Sequence, residues 1–426
     1  CFLNLFNIML KSKERDRLSK LSNLIFLASK EIKILRHISW DKKIRDIFFD
    51  KGCKELPVVK YSVFDDSDLK LILSDAKSYI GQTKYDYWLI KKIDDLKKSS
   101  ELLKSCGTEN FYKISSEIYG TPLSLIHDGS TRPIDLSKKF DDIINSIDNK
   151  KIDGMTSPKI TDSVLVKKIS KSVNKFFGSS SPEVKIVPQL SAKATATSKY
   201  IKIRQGGEFD ESDINQLLNH EAYIHVATTL NGKAQSKMKI LGSNFGSITK
   251  TQEGLAVFSE FITGSVDINR MRRISDRVIA IQMAIEGADF LQIFNYFLER
   301  HGSKGQAYES SRRIFRGGLL TGGAPFTKDI VYLDGFIRVY NFLRSAIASG
   351  KTECINLLFS GKLDLDDIPV IYSLYKEGLV TKPLFIPNWA KDLNFLICYL
   401  SFSVFLEKIN YDNVSSYYDK LLGDID

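Results

Sequence analysis

One residue too many separates His220 from His225 in the stretch NHEAYIHVATTLNG, and that surplus constrains the 426-residue chain more than any other feature. A His-Glu-x-x-His run sets two imidazoles one helical turn apart, where they can share a metal ion. Here the run is His-Glu-x-x-x-His. A regular helix advances about 100° per residue, so the two rings would point about 140° apart. Either the two histidines are unrelated, or the helix loosens locally into the wider i→i+5 turn that absorbs one inserted residue and concentrates at functional sites. The flanks favour a long helix. Ser212 or Asp213 serves as N-cap, Gln216 completes a capping-box spacing after Asp213, and Gly232 stands where a C′ residue belongs. Ile214, Leu217, Leu218, Glu221 and His225 fall on one face, so a carboxylate and an imidazole lie on the stripe that should be buried. Buried ionisable groups need strong partners, and a metal ion would supply one. The bland alternative is a His and a Glu bonded to each other or to backbone.

A catalytic zinc site takes three protein ligands and keeps one position open. His37, His127 and His301 stand in contexts that suit structural roles: His127 before a turn, His301 at a helix end. Glutamate from a following helix is the better search target. The segment ITKTQEGLAVFSEF starts such a helix, with Thr249 as N-cap and Gln252 at the capping-box position. Glu253 lies in its first turn and Glu260 two turns later on roughly the same face. Glu253 is the candidate third ligand. Glu260 is either an acceptor that orients a ligand imidazole or an ordinary exposed acid.

The rest of the chain sets the frame. At 43% hydrophobic residues it can bury a large core, and its length calls for two regions. Residues 1–165 read as a helical N-terminal region rich in solvated charge. The Gly-, Ser- and Pro-containing segment NKKIDGMTSPK (Asn149 to Lys159) is the candidate boundary, and residues 166–426 form the second region. EVKIVPQL and TSKYIKIRQGG alternate apolar and polar residues and read as two short strands, a possible hairpin, lining one edge of a cleft. The expected fold class is therefore α+β and predominantly helical, with a small β-sheet. No internal repeat is present.

A net charge of +10 attracts acidic partners. There is no nucleic-acid motif or aromatic-basic platform, and nothing sets an oligomeric state. The opening CFLNLFNIML reads as an amphipathic helix start, without the basic residues that precede an export signal. FLICYLSFSVFL is too short for a membrane span and reads as a core helix. Five scattered cysteines, none in C-x-x-C spacing, suit free thiols in a reducing compartment, and cytoplasm is the expected location.

NHEAYIHVATTLNGKAQ, TQEGLAVFSEF, RRIFRGG and FTKDIVYLDG, in this order, resemble the signatures of the QEGLA-motif proteins, which include the microtubule-associated tyrosine carboxypeptidases. The resemblance runs over about the last 260 residues. It implies a zincin-like metallopeptidase core that removes a C-terminal tyrosine or other aromatic residue from a peptide or protein tail. It further implies zinc on His220, His225 and Glu253, and Glu221 as the catalytic carboxylate that takes a proton from the attacking water. A carboxypeptidase also needs a fixed cation for the terminal carboxylate, and a bidentate arginine suits it best. The stretch SSRRIFRGGLLTGGAPFTKDIVY offers Arg313 and Arg316 for that task, Lys328 as a further cation and Tyr332 as a donor to the oxyanion. Each of these has an equally concrete structural alternative: arginines bridging helices, a surface lysine, a core tyrosine. An acidic tail would be drawn in by the surplus positive charge. Rival readings are an aminopeptidase or dipeptidyl peptidase with the same spacing and a non-catalytic zinc-containing regulatory protein. The ligand types also admit cobalt or manganese.

Overall fold

The computed structural model describes residues 10–146 and 158–406 except 189, 191 and 208, together with 410, 414–416, 418 and 420; the side chains of 301 and 405 also lie outside the description. Residues 1–9 and most of the segment read as a boundary fall outside it as well. The protein is predominantly helical α+β, with two small sheets among its helices.

The sheet nearest the site differs from a hairpin. Strand β2 (Glu183–Val187) lies parallel to β4 (Tyr200–Arg204), and β3 (Ala194–Ala196) adds antiparallel to the other side of β4. A parallel pair needs a crossover of roughly a dozen residues, and the chain between β2 and β4 provides it while placing β3 beside β4. Ile201 and Ile203, alternate residues of β4, are buried against Leu165, Ile169 and Val173 of the helix Asp162–Phe177 and against Leu217, Ala222 and Val226. A second, two-stranded sheet pairs β1 (Lys159–Ile160) with β5 (Phe209–Asp210) just before the histidine-bearing helix.

That helix is one continuous rod over residues 211–234 in three parts. Regular α-helix runs over Glu211–Leu217, π-helix over Leu218–Val226, and α-helix again over Ala227–Ala234. The helix starts earlier than its sequence suggests. Asp210 is the N-cap and forms a reciprocal capping box with Asp213, so Ser212 and Asp213 are already helical. It also runs past Gly232, which is not a C′ residue. A Cβ there would meet the Leu241 carbonyl oxygen at 2.1 Å, so glycine serves a close backbone crossing. Asn231 pins this end by donating to the carbonyls of Phe359 and Phe385 and accepting from the amides of Leu384 and Phe385.

The glutamate helix, Thr249–Ile262, crosses the helix Val331–Ala348 with Gly254 against Gly335. A Cβ on Gly254 would fall 2.1 Å from Gly335 backbone atoms. Thr249 is the first helical residue rather than the cap. Gln252 turns to the rod instead, its Oε1 accepting from the Thr228 hydroxyl at 2.9 Å. Three hydrophobic cores meet around these two helices. The first joins Leu18, Leu69 and Leu89 to Ile224 and Leu255; the second joins Phe48 and Phe111 to Val257 and Phe326; the third holds Ala222 and Val226. Helices on both sides of residue 165 thus build the first two.

The apolar helix Leu393–Leu406 buries Leu396 and Leu400, yet Phe402 is 66% exposed and Phe395, Tyr399 and Leu406 are exposed too, so it is a core helix on one face only. Among the described residues no helix is long and apolar enough to cross a membrane. Cys53, Cys106, Cys354 and Cys398 are free thiols.

Candidate metal centre

The π-helical turn brings together what a regular helix would hold apart. The His220 and His225 rings stand 4.8 Å apart, nearly perpendicular, and both Nε2 atoms face one oxygen of Glu253, at 3.4 and 3.5 Å from Oε2. Among the described residues this trio is the one group of three or more His, Cys, Asp or Glu able to hold a metal ion, with its donor atoms all within 4.8 Å. Glu253 reaches the rod because it begins the helix that packs on the π segment.

The surroundings fix which His220 nitrogen faces Glu253 and keep that glutamate ionised. Glu260, fully buried, accepts from His220 Nδ1 at 2.6 Å and from Arg270 through Nε at 2.9 Å and Nη2 at 3.0 Å. Burial opposes its charge, but Arg270 and His220 hold its carboxyl down at about 2. An ionised carboxylate only accepts, so the Nδ1 proton belongs to His220, and whenever the ring is neutral its lone pair sits on Nε2, aimed at Glu253. Burial likewise opposes charge on Glu253, and Lys328 with the two histidines keeps it well below the ordinary carboxyl range. Its Oε1 accepts from Lys328 Nζ at 3.3 Å, while its Oε2 is buried without a hydrogen bond. A buried oxygen that makes no hydrogen bond, flanked by two imidazole nitrogens, fits a cation. With neither metal nor proton on the rings this arrangement would be repulsive. In the metal-free protein, burial pushes the His220 pKa down but the carboxylates of Glu253 and Glu260 outweigh it, raising it to about 10.

Glu221 follows His220 on the rod and lines a cavity of about 510 Å³ shared with His220 and Tyr332. Burial lifts its carboxyl above the usual range, against the pull of the two histidines. Tyr332 lies with its ring 6.5 Å from that of His220, at 27° to it, and its hydroxyl accepts from Arg313 Nη2 at 3.2 Å. Its own O–H is then free to donate elsewhere. Four cations surround the ring: Arg277 at 5.2 Å, Lys328 at 5.4, Arg270 at 5.7 and Arg313 at 5.9.

The cations expected to bind substrate are distributed differently from one another. Arg313 faces the cavity, with Nε and Nη2 bound to both oxygens of Asp329 at 2.6 and 2.8 Å. Arg316 is buried beside the Phe326 ring and does not line the cavity; burial and Arg313 lower its pKa to about 10. Lys328 is spent on Glu253. Sequence reasoning missed the cavity's main wall, the helix Ile268–Ile285, which places Arg270, Arg273 and Arg277 along one face. Their signal was present as arginines three and four residues apart in INRMRRISDR. Lys193 and Ala194, at the edge of the small sheet, and Arg204 at the end of β4 complete the rim, so the predicted strands do border the cleft. His37 and His127 take no part in the trio, and the helix Phe290–His301 ends at His301 as expected.

A helical fold holds two histidines and a glutamate around one point, at the edge of an arginine-walled cavity, a trio able to hold a metal ion. The chain belongs to the microtubule-associated tyrosine carboxypeptidase family: the family profile of that description matches residues 46–408. The family makes it a carboxypeptidase acting on a protein chain. Among curated proteins there is no match.

Proposed function

We propose that this protein is a zinc-dependent carboxypeptidase that removes a C-terminal tyrosine or other aromatic residue from a peptide or protein tail. The observation that carries the reading is the convergence of His220, His225 and Glu253, with the buried Glu253 Oε2 lacking any hydrogen bond. These three residues would hold the ion, whose chemistry when bound is to acidify a water and polarise a carbonyl oxygen. Glu221, beside the first ligand and facing the cavity, takes the proton of the attacking water and passes it to the leaving amine. Its raised pKa suits a group that must both accept and return a proton. Tyr332 donates its hydroxyl hydrogen to the oxyanion that develops at the scissile carbonyl.

The cavity's arginines favour the carboxyl end of a substrate. An aminopeptidase or dipeptidyl peptidase needs uncommitted acids to hold an ammonium group. Here the acids of the wall other than Glu221, which serves the water, are engaged elsewhere: Asp210 caps its helix and Glu309 pairs with Arg312. An acidic tail ending in an aromatic residue suits the positive wall, and a protein of the microtubule surface is the source that the family's description suggests. The free thiols agree with a cytoplasmic location.

Peptides ending in Tyr, Phe, Ala or Glu, incubated with and without a chelator beside a Glu221→Gln variant, test the reading. Trimming of the aromatic-ended peptides should stop with the chelator and fall by roughly 100- to 10,000-fold in the variant. Trimming that ignores the chelator, or full activity of the variant, would overturn it.

A further inference from the structure

We infer that Arg277, assisted by Arg273, is the group that reads the substrate's terminal carboxylate. The inference rests on the carboxypeptidase reading above and assigns its specificity determinant to a helix that the family's QEGLA segment does not contain.

Three of the four cations around the Tyr332 ring are already committed. Arg270 gives Nε and Nη2 to Glu260, Lys328 gives its ammonium to Glu253, and Arg313 gives Nε and Nη2 to the two oxygens of Asp329. Arg277 remains. Among the described residues its single ion-pair contact is a long 3.5 Å approach of Nε to the Asp329 oxygen already bound at 2.6 Å by Arg313. One carboxylate therefore serves two guanidinium groups, and a positive charge is left over where little water reaches, since the Arg277 side chain is only 16% exposed. Burial and Arg313 depress its pKa to about 10, the direction expected of a cation short of negative partners.

Arg273 stands four residues earlier on the same helix, so the two side chains share a face. It also lines the cavity, is half-buried, and has no hydrogen bond or ion pair to any described residue. Burial and the neighbouring Arg270 lower its pKa too. A terminal carboxylate lies one residue, about 3.8 Å of chain, beyond the scissile carbonyl. Its reader must therefore stand close behind the cation site. Arg277 does, one aromatic ring away: its guanidinium is 5.2 Å from the Tyr332 ring, which is itself 6.5 Å from the His220 ring. The planar fork of an arginine offers two parallel N–H groups to the two oxygens of a carboxylate, a match that an amide or an internal peptide bond cannot make.

The test separates binding from hydrolysis. A fluorescent peptide ending in tyrosine, prepared as free acid and as C-terminal amide, is titrated by anisotropy against the chelated protein and its Arg277→Gln, Arg273→Gln and Arg277→Lys variants. The native protein should prefer the free acid by roughly 10- to 100-fold. Arg277→Gln should collapse that ratio towards one, Arg273→Gln should lower it, and Arg277→Lys should restore part of it, because charge returns without the fork. A ratio that survives in Arg277→Gln, or native protein that binds acid and amide alike, would overturn the assignment. Native discrimination that is lost in Arg277→Gln, together with zinc-supplied, unchelated protein that hydrolyses neither peptide, would refute the hydrolytic reading and leave the assignment standing.

Discussion

Glu260 shows how much of the candidate metal centre lies outside its three donors. It is fully buried and does not line the cavity, yet its carboxylate keeps the His220 proton on Nδ1 and neutralises Arg270. Glu260→Gln keeps the shape but loses the charge, leaving Arg270 uncompensated and the His220 ring free to turn or change tautomer. Metal affinity measured by competition with a chromogenic chelator should fall by about 10- to 100-fold. Unchanged affinity would mean that Glu260 merely fills space. At this scale the sequence was informative wherever chemistry required a rare residue type. Two of only five histidines, and a Glu in the first turn of the next helix, are visible without coordinates. The commitments of the arginines were not visible. Nothing in SSRRIFRGG reveals that Asp329 takes the fork of Arg313 or that Arg316 turns to Phe326, because those partners come from the tertiary fold.

At the scale of elements, the π segment and the Gly254–Gly335 crossing set the distance between histidines and glutamate. The extra residue in His-Glu-x-x-x-His was legible as a demand for a loosened turn, and Leu218–Val226 meets it. The crossing was not legible, since a glycine inside a helix carries no sign of what approaches it. Gly254→Ala would place a methyl group 2.1 Å from Gly335 backbone atoms and push the two helices apart beside Glu253. Thermal or chemical unfolding should report a loss of about 1–3 kcal/mol, with weaker metal retention in the same variant. Stability equal to the native protein would show that the helices yield without cost. The strands illustrate the opposite limit. Alternation marked β2 and β4 correctly as strands, but partner and direction depended on the crossover and on β3, whose three residues, Ala194–Ala196, are too short and too plain to announce themselves.

Across the whole molecule, the candidate centre lies where three hydrophobic cores converge. Ile224 belongs to one, Ala222 and Val226 to another, and Val257 of the glutamate helix to the third. A cation held by His220, His225 and Glu253 would tie the rod to the glutamate helix across that junction, and so bind the folded chain more tightly than the unfolded one. The proposed hydrolysis depends on that cation. Elemental analysis of protein purified without chelator, beside a Glu253→Ala variant prepared identically, measures it directly. About one zinc per native chain and a large loss in the variant are expected if the three residues hold the ion. Native protein devoid of any divalent metal, or equal metal in both preparations, would contradict it.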